Sequence, residues 1–120
     1  MDITFDYPLP SQAILRPSGR VDAETSPALR QAIIDVSAQA CTAVVVDLTR
    51  VEFMDSSGLS ALVSGMKTLR KANGMLAITG ANAQIRMALR LTMLDRVFPI
   101  QENIQEAFKY LESRPDQTRV

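Results

Sequence analysis

The sequence predicts a single α/β domain in which a mixed sheet of about five strands packs with about four helices. Its 120 residues are 47% apolar and 22% charged, which suffices for one hydrophobic core. Segments with the apolar patterns of strands alternate with segments of helical periodicity. One of them, Ala43–Leu48, is short, apolar and rich in valine, as expected of a central strand covered on both faces. Strands that alternate with helices imply some parallel pairing.

The first elements are predicted to be two short antiparallel strands. Ile3, Phe5 and Tyr7 alternate with polar residues, and Ala13 and Leu15 continue this pattern after a turn that contains two prolines. The prolines favour a fixed turn, so the two strands are expected to pair as a hairpin.

The first helix is predicted to begin near Ser26, an N-cap residue, with Pro27 at the first helical position. Asp22 and Thr25 offer an alternative start one turn earlier, since aspartate is also a good N-cap. The apolar residues that repeat at helical spacing are Leu29, Ile33, Val36 and Ala40.

The central strand is followed by a predicted loop that carries residues 53–58, and then by a second helix. Asn73 and Gly74 predict a left-handed end to this helix. Its apolar face comprises Leu59, Leu62, Val63, Met66 and Leu69.

The remainder of the chain is predicted to form strand, helix, strand and helix. The strands are Met75–Thr79 and Val97–Ile100, and Asn82 is the predicted cap of the helix between them. The last helix has Ile104, Ala107, Phe108 and Leu111 on its apolar face. The domain is therefore expected to span residues 3–112, with a polar tail at 113–120.

Charge and composition exclude several functions. Thirteen basic residues balance thirteen acidic ones without a basic cluster, so neither nucleic acid nor an anionic membrane is an expected partner. The N-terminus lacks the pattern of a signal peptide, and no apolar run approaches the roughly 20 residues that span a bilayer. The chain is expected to stay in the cytoplasm.

The chain has no histidine, the commonest general base and metal ligand, so catalytic triads and metal sites are not expected. Its one cysteine, Cys41, cannot form an intramolecular disulfide and is interpreted as a packing residue. Composition therefore indicates a protein that is not an enzyme and that needs no cofactor or metal.

The segment with the most chemical information is the turn Asp55-Ser56-Ser57-Gly58, where a buried strand leads into a helix. The N–H groups and partial positive charge at a helix N-terminus favour a phosphoryl group there. Gly58 allows a tight backbone turn. Taken from these residues alone, Ser56 and Ser57 are most often plain N-caps, although a serine can both cap a helix and be modified.

Four features of the sequence resemble the STAS family of anti-sigma-factor antagonists, whose fold also occurs in the cytoplasmic tails of sulfate transporters. The resemblance covers nearly the whole chain, about residues 3 to 112. The features are Gly19–Asp22, Val44–Leu48, the loop Val51–Leu59, and the spacing of Ile85, Leu89 and Leu94.

The resemblance implies that the unphosphorylated protein binds an anti-sigma factor that is also a serine kinase, and so frees a sigma factor for transcription. It implies that the kinase phosphorylates Ser56, with Ser57 as the second choice, and that a serine phosphatase reverses this partner switch. The chain departs from the family pattern at Thr92-Met93-Leu94, where glycine often precedes the leucine.

The resemblance also places Asp22, Asp55, Ser57 and Gly58 at the partner-binding surface. Asp55 either orients the Ser56 hydroxyl or only caps the loop, and capping is favoured because a kinase supplies its own base. Asp22 either contacts the partner or caps a helix.

Two other functions are consistent with parts of the sequence. The first is a STAS regulatory subunit of a transport or sensory complex that is not phosphorylated, although the intact Asp55-Ser56-Ser57 motif argues against it. The second is a small phosphate-binding or nucleotide-hydrolysing enzyme, which the absence of a Walker lysine motif and of a metal-binding cluster disfavours.

Overall fold

The structure is a computed structural model that describes residues 1–113. Seven strands and four α-helices are found in this part of the chain. In chain order they are β1 (Ile3–Asp6), β2 (Gln12–Pro17), β3 (Gly19–Val21), α1 (Ser26–Ala38), β4 (Ala43–Asp47), β5 (Val51–Met54), α2 (Ser56–Lys71), β6 (Met75–Thr79), α3 (Ala83–Leu91), β7 (Ile100–Gln101) and α4 (Ile104–Ser113).

Five strands form the main sheet in the order β1-β2-β4-β6-β7. The hairpin partners β1 and β2 are antiparallel, and every other pair in this sheet is parallel. In the central strand β4, Val44, Val45 and Val46 are fully buried. The predicted class, a mixed five-stranded sheet with four helices, is thereby confirmed.

A second, two-stranded parallel sheet joins β3 to β5. The prediction of a loop at Phe53–Gly58 is wrong: Phe53 and Met54 belong to β5, whereas Ser56–Gly58 form the first turn of α2. Strands of three and four residues are too short to show a periodic pattern of their own.

Both ends of α1 differ from the prediction. Ser26 is the first helical residue rather than the cap, and Pro27 lies at the second helical position. Thr25 takes the N-cap position, but its side chain makes no capping bond to the helix. The helix ends at Ala38. Ala40, expected on its apolar face, instead has a left-handed backbone (φ 65°) that turns the chain towards β4.

The last strand was predicted at Val97–Ile100 but lies at Ile100–Gln101. A 3-10 turn at Leu94–Arg96 precedes it, and the Phe98 N–H donates to the Leu94 carbonyl at 2.9 Å. The apolar side chain of Phe98 is buried in the core, although Phe98 is not part of a strand. Ladder bonding starts at Pro99, whose carbonyl accepts from the Ile78 N–H at 2.8 Å.

Other predicted boundaries are confirmed. Asn82 caps α3 by accepting a hydrogen bond from the Ile85 N–H, and Asn73 has the expected left-handed backbone (φ 64°) after α2. Of the tail predicted at 113–120, Ser113 is the last residue of α4, and the rest lies outside the described residues.

Met93, the residue at which glycine is expected from the resemblance, also has a left-handed backbone (φ 61°) and is 61% exposed. This conformation costs a non-glycine residue about 1–2 kcal/mol. Since glycine has a larger conformational entropy in the unfolded chain, we expect Met93→Gly to raise the free energy of unfolding by about 0.5–1 kcal/mol, as measured by urea denaturation.

Met87 is the matched control, because it is 47% exposed but lies within α3. Met87→Gly is expected to lower the free energy of unfolding by about 1 kcal/mol. Equal destabilisation by both substitutions would contradict the argument from backbone conformation.

Candidate functional site

The two-stranded sheet leads to the turn that the sequence singles out. Val21 of β3 is paired with Met54 of β5, and the next residue, Asp55, donates its N–H to the Val21 carbonyl at 3.1 Å. Asp22 and Asp55 therefore follow neighbouring strand ends, and β3 and β5 bring these two predicted site residues together.

Asp55 is the N-cap of α2. Its backbone is extended, and its Oδ1 accepts hydrogen bonds from the Ser57 N–H at 2.9 Å and the Gly58 N–H at 3.3 Å. The Leu59 N–H donates to the Asp55 carbonyl at 3.1 Å. The interpretation of Asp55 as a cap agrees with this geometry, whereas the interpretation of Ser56 and Ser57 as caps is wrong.

Removing the Asp55 cap is expected to destabilise the protein modestly. Asp55→Ala leaves two helix N–H groups without their side-chain acceptor, so the free energy of unfolding should fall by about 1 kcal/mol. Asp55→Asn should keep most of that stability, because its amide oxygen accepts the same bonds. Urea denaturation of both variants and of Ser56→Ala measures the change in the free energy of unfolding. If Ser56→Ala loses as much stability as Asp55→Ala, the assignment of Asp55 as the cap is contradicted.

The two serines differ in exposure and in what lies beside them. Ser56 is exposed and opens on a groove of about 390 Å³ along α2, lined also by Leu59, Val63, Lys67 and Leu94. The Ser56 end of this groove therefore adjoins a mainly apolar surface that also carries one lysine, Lys67.

Ser57 is half-buried and lines a different groove of about 340 Å³ between α1 and α2. Ser26, Arg30, Ser60 and Ser64 also line this second groove, which is more polar than the first. Of the two adjacent hydroxyls, that of Ser56 belongs to the more accessible residue.

Gly58 is buried in the first turn of α2 and has no positive φ. A Cβ atom there would collide with the Met54 side chain and would lie 2.9 Å from Cγ1 of Val21. Space, rather than the backbone freedom expected from the sequence, is what requires glycine at this position.

Asp22 stabilises the turn before α1. Its Oδ1 accepts from the N–H groups of Glu24 at 3.0 Å and Thr25 at 3.2 Å. The bond from the Thr25 N–H is the main cause that holds the pKa of the Asp22 carboxyl below its ordinary value, against the opposing effect of desolvation. Asp22 thus caps a turn, and its contact with a partner stays a prediction.

Three residues that make contacts near the turn were not predicted as site residues from the sequence. The Arg20 guanidinium lies 4.4 Å from the centre of the Phe53 ring, on the two-stranded sheet. Gln84 of α3 hydrogen-bonds the backbone of Met54. Arg20 and Phe53 lie on different strands, and Gln84 and Met54 are separated by 30 positions in the sequence, so no local pattern indicates either contact.

Within residues 1–113, no helix is long and apolar enough to cross a membrane. The same residues contain no group of three or more cysteine, aspartate or glutamate side chains that could hold a metal ion.

These features define a small α/β domain that presents an exposed serine at the N-terminus of a capped helix. A family model described as the STAS domain matches residues 7–107. The chain belongs to the STAS domain family.

The curated relatives include an anti-sigma F factor antagonist of Paenibacillus polymyxa, 30% identical over 100 residues, which cover 82% of this chain and 86% of the relative. Among solved structures, an anti-sigma factor antagonist from Mycobacterium paratuberculosis is 32% identical, with a TM-score of 0.80 over 93% of this chain and 96% of the other. SpoIIAA of Bacillus, solved in its phosphorylated form, shares the fold with a TM-score of 0.69 at 19% identity, over 90% of this chain and 97% of SpoIIAA.

Proposed function

We propose that this protein is an anti-sigma factor antagonist controlled by phosphorylation. In its unphosphorylated form it binds an anti-sigma factor that is also a serine kinase, and a sigma factor is released for transcription. The observation that carries the proposal is the exposed Ser56 directly after the Asp55 cap, in a chain whose relatives are named as antagonists of anti-sigma factors.

Ser56 is the proposed phosphoacceptor. Its side chain is exposed, and as the first helical residue it lies where backbone N–H groups and the helix dipole favour a phosphoryl group. Asp55 is already engaged in two capping bonds, so the general base and the ATP are expected to come from the kinase. Ser57 is the second candidate, because its half-buried side chain is harder to reach.

The proposed partner surface includes Asp22, Asp55 and Ser57, which follow the ends of β3 and β5. Gly58 contributes by keeping the first turn of α2 close to Val21. The domain proposed to carry this surface spans residues 3–112, and we place its action in the cytoplasm, where a serine phosphatase regenerates the binding form. The chain itself is a substrate of this cycle and not an enzyme.

The proposal is tested by phosphorylation with the serine kinase that the immobilised wild-type chain captures from extract of its source cells. With ATP and magnesium, wild type and Ser57→Ala are expected to be labelled, and Ser56→Ala is not, because it lacks the hydroxyl that attacks the γ-phosphate. Mass spectrometry identifies the modified residue.

Ser56→Ala removes at most a minor surface contact, so circular dichroism should show an unchanged fold. Labelling of Ser56→Ala at the wild-type level together with loss in Ser57→Ala would move the site to Ser57. If no ATP-dependent kinase is captured and the wild-type chain stays unlabelled, the proposed function is wrong.

A further inference from the structure

The two-stranded sheet is completed by side chains rather than by a third strand. β5 pairs with β3 along one edge. Along β5, the Gln84 Oε1 accepts from the Met54 N–H at 3.0 Å, and the Gln84 Nε2 donates to the Met54 carbonyl at 2.9 Å. Asn82 adds a bond from its Nδ2 to the Glu52 carbonyl at 3.0 Å. The first turn of α3 thus satisfies backbone groups of β5 as a neighbouring strand would.

Gln84 binds Met54 at both of its backbone groups. A primary amide has a donor and an acceptor side by side, so its two bonds restrain rotation as well as distance. Met54 is bonded covalently to the Asp55 cap, and Asp55 to Ser56. A shift of the Met54 peptide would therefore move the cap and the hydroxyl-bearing residue together.

Gln84 is an exposed residue of α3, so its side chain is not fixed by packing in the core. What holds its amide in place is the pair of bonds to β5. The same helix leads to Thr92 and Leu94, which line the groove on which Ser56 opens. Helix α3 therefore contacts the strand that leads into the serine-bearing turn through Gln84, and residues that follow α3 line the groove on which Ser56 opens.

We propose that Gln84 is a positioning residue for Ser56: its amide fixes the Met54 peptide, and through it the Asp55 cap, so that the Ser56 hydroxyl is presented in one orientation to the kinase. This inference rests on the proposed function for its kinetic consequence, but its structural part is tested independently.

The test uses Gln84→Met, which keeps the side-chain length and the helix propensity but removes both bonds. Gln84→Glu is the conservative variant, since its carboxylate can still accept from the Met54 N–H but cannot donate to the Met54 carbonyl. Gln31→Met is the matched control: Gln31 is an exposed glutamine of α1 whose amide donates to Asp35 on the same helix at 2.9 Å.

The first measurement is native-state amide hydrogen exchange, which needs no partner. In Gln84→Met, exchange of the Met54 N–H is expected to be about tenfold faster than in wild type, while amides of β4 keep their protection. Gln84→Glu should retain slow exchange at Met54, and Gln31→Met should match wild type. Unchanged exchange at Met54 in Gln84→Met would overturn the positioning role.

The second measurement is phosphorylation by the kinase captured with the wild-type chain. A misoriented hydroxyl should lower kcat about tenfold with little change in KM, and Gln84→Glu should recover part of that loss. A purely structural role would leave kcat per folded molecule unchanged, and this outcome would also overturn the proposal. If the wild-type chain is never labelled, the proposed function fails, whereas hydrogen exchange still decides whether Gln84 holds the turn.

Discussion

Phosphorylation of Ser56 is expected to weaken binding to the anti-sigma factor by about a hundredfold while leaving the fold nearly unchanged. A phosphoserine adds roughly −1.5 to −2 charge at neutral pH. Within the domain, the α2 dipole attracts this charge and the adjacent Asp55 repels it, so the two effects on stability largely cancel. A partner that packs over the turn, however, must desolvate a dianion.

Calorimetric titration of the phosphorylated and plain proteins with the anti-sigma factor measures the loss of affinity, and amide chemical shifts report on the fold. Ser56→Asp should reproduce only part of the loss, because one carboxylate is smaller and less charged than a phosphate. Shift changes spread through the main sheet would indicate a conformational switch and would refute the mechanism of local charge and bulk.

Replacing Gly65 with alanine is expected to lower the free energy of unfolding by about 1–3 kcal/mol, although glycine-to-alanine changes in helices usually stabilise. Gly65 is buried in α2 opposite Ile33 of α1. An added Cβ would lie 2.7 Å from both Cδ1 and Cγ2 of Ile33 and 2.8 Å from its Cβ. The Cβ of Ile33 cannot rotate away, so the two helices would have to separate.

A double-mutant cycle measured by urea denaturation tests this explanation. In an Ile33→Ala background the obstructing γ and δ carbons are gone and only the contact with the Cβ of residue 33 remains, so Gly65→Ala should cost clearly less than it does in the wild-type background. Lys67→Ala, an exposed change two residues further along α2, controls for general effects on the helix. A stabilising Gly65→Ala in the wild-type background would show that α1 and α2 adjust freely.

The elements with strong local signals could be predicted from the sequence. The valine-rich run of β4, the cap at Asn82 and the left-handed Asn73 each depend on a few neighbouring residues, and the structure confirms all three. The last strand, β7, was misplaced because Val97 to Ile100 is apolar for two reasons at once: Phe98 fills the core, and only Ile100 begins a strand.

The candidate site could be predicted in its residues but not in its local geometry. Asp55, Ser56 and Ser57 are all good N-cap residues, and only the extended backbone of Asp55 shows which of them caps α2. Likewise, β3 and β5 are stable as strands because distant parts of the chain pair with them. No local pattern in the sequence indicates this pairing. The contact of Gln84 with Met54 could not be predicted for the same reason, since the two residues are far apart in the sequence.

The separation of the two-stranded sheet from the main sheet has an evolutionary consequence. Because the turn follows a small second sheet and Ser56 is exposed, substitutions confined to exposed positions there need not disturb the valine core of β4. Duplicated copies of such a domain could therefore come to bind different partners while the sequence of the core changes little. A cell can in this way keep several antagonists apart by differences at a handful of surface positions, without redesigning the fold that carries them.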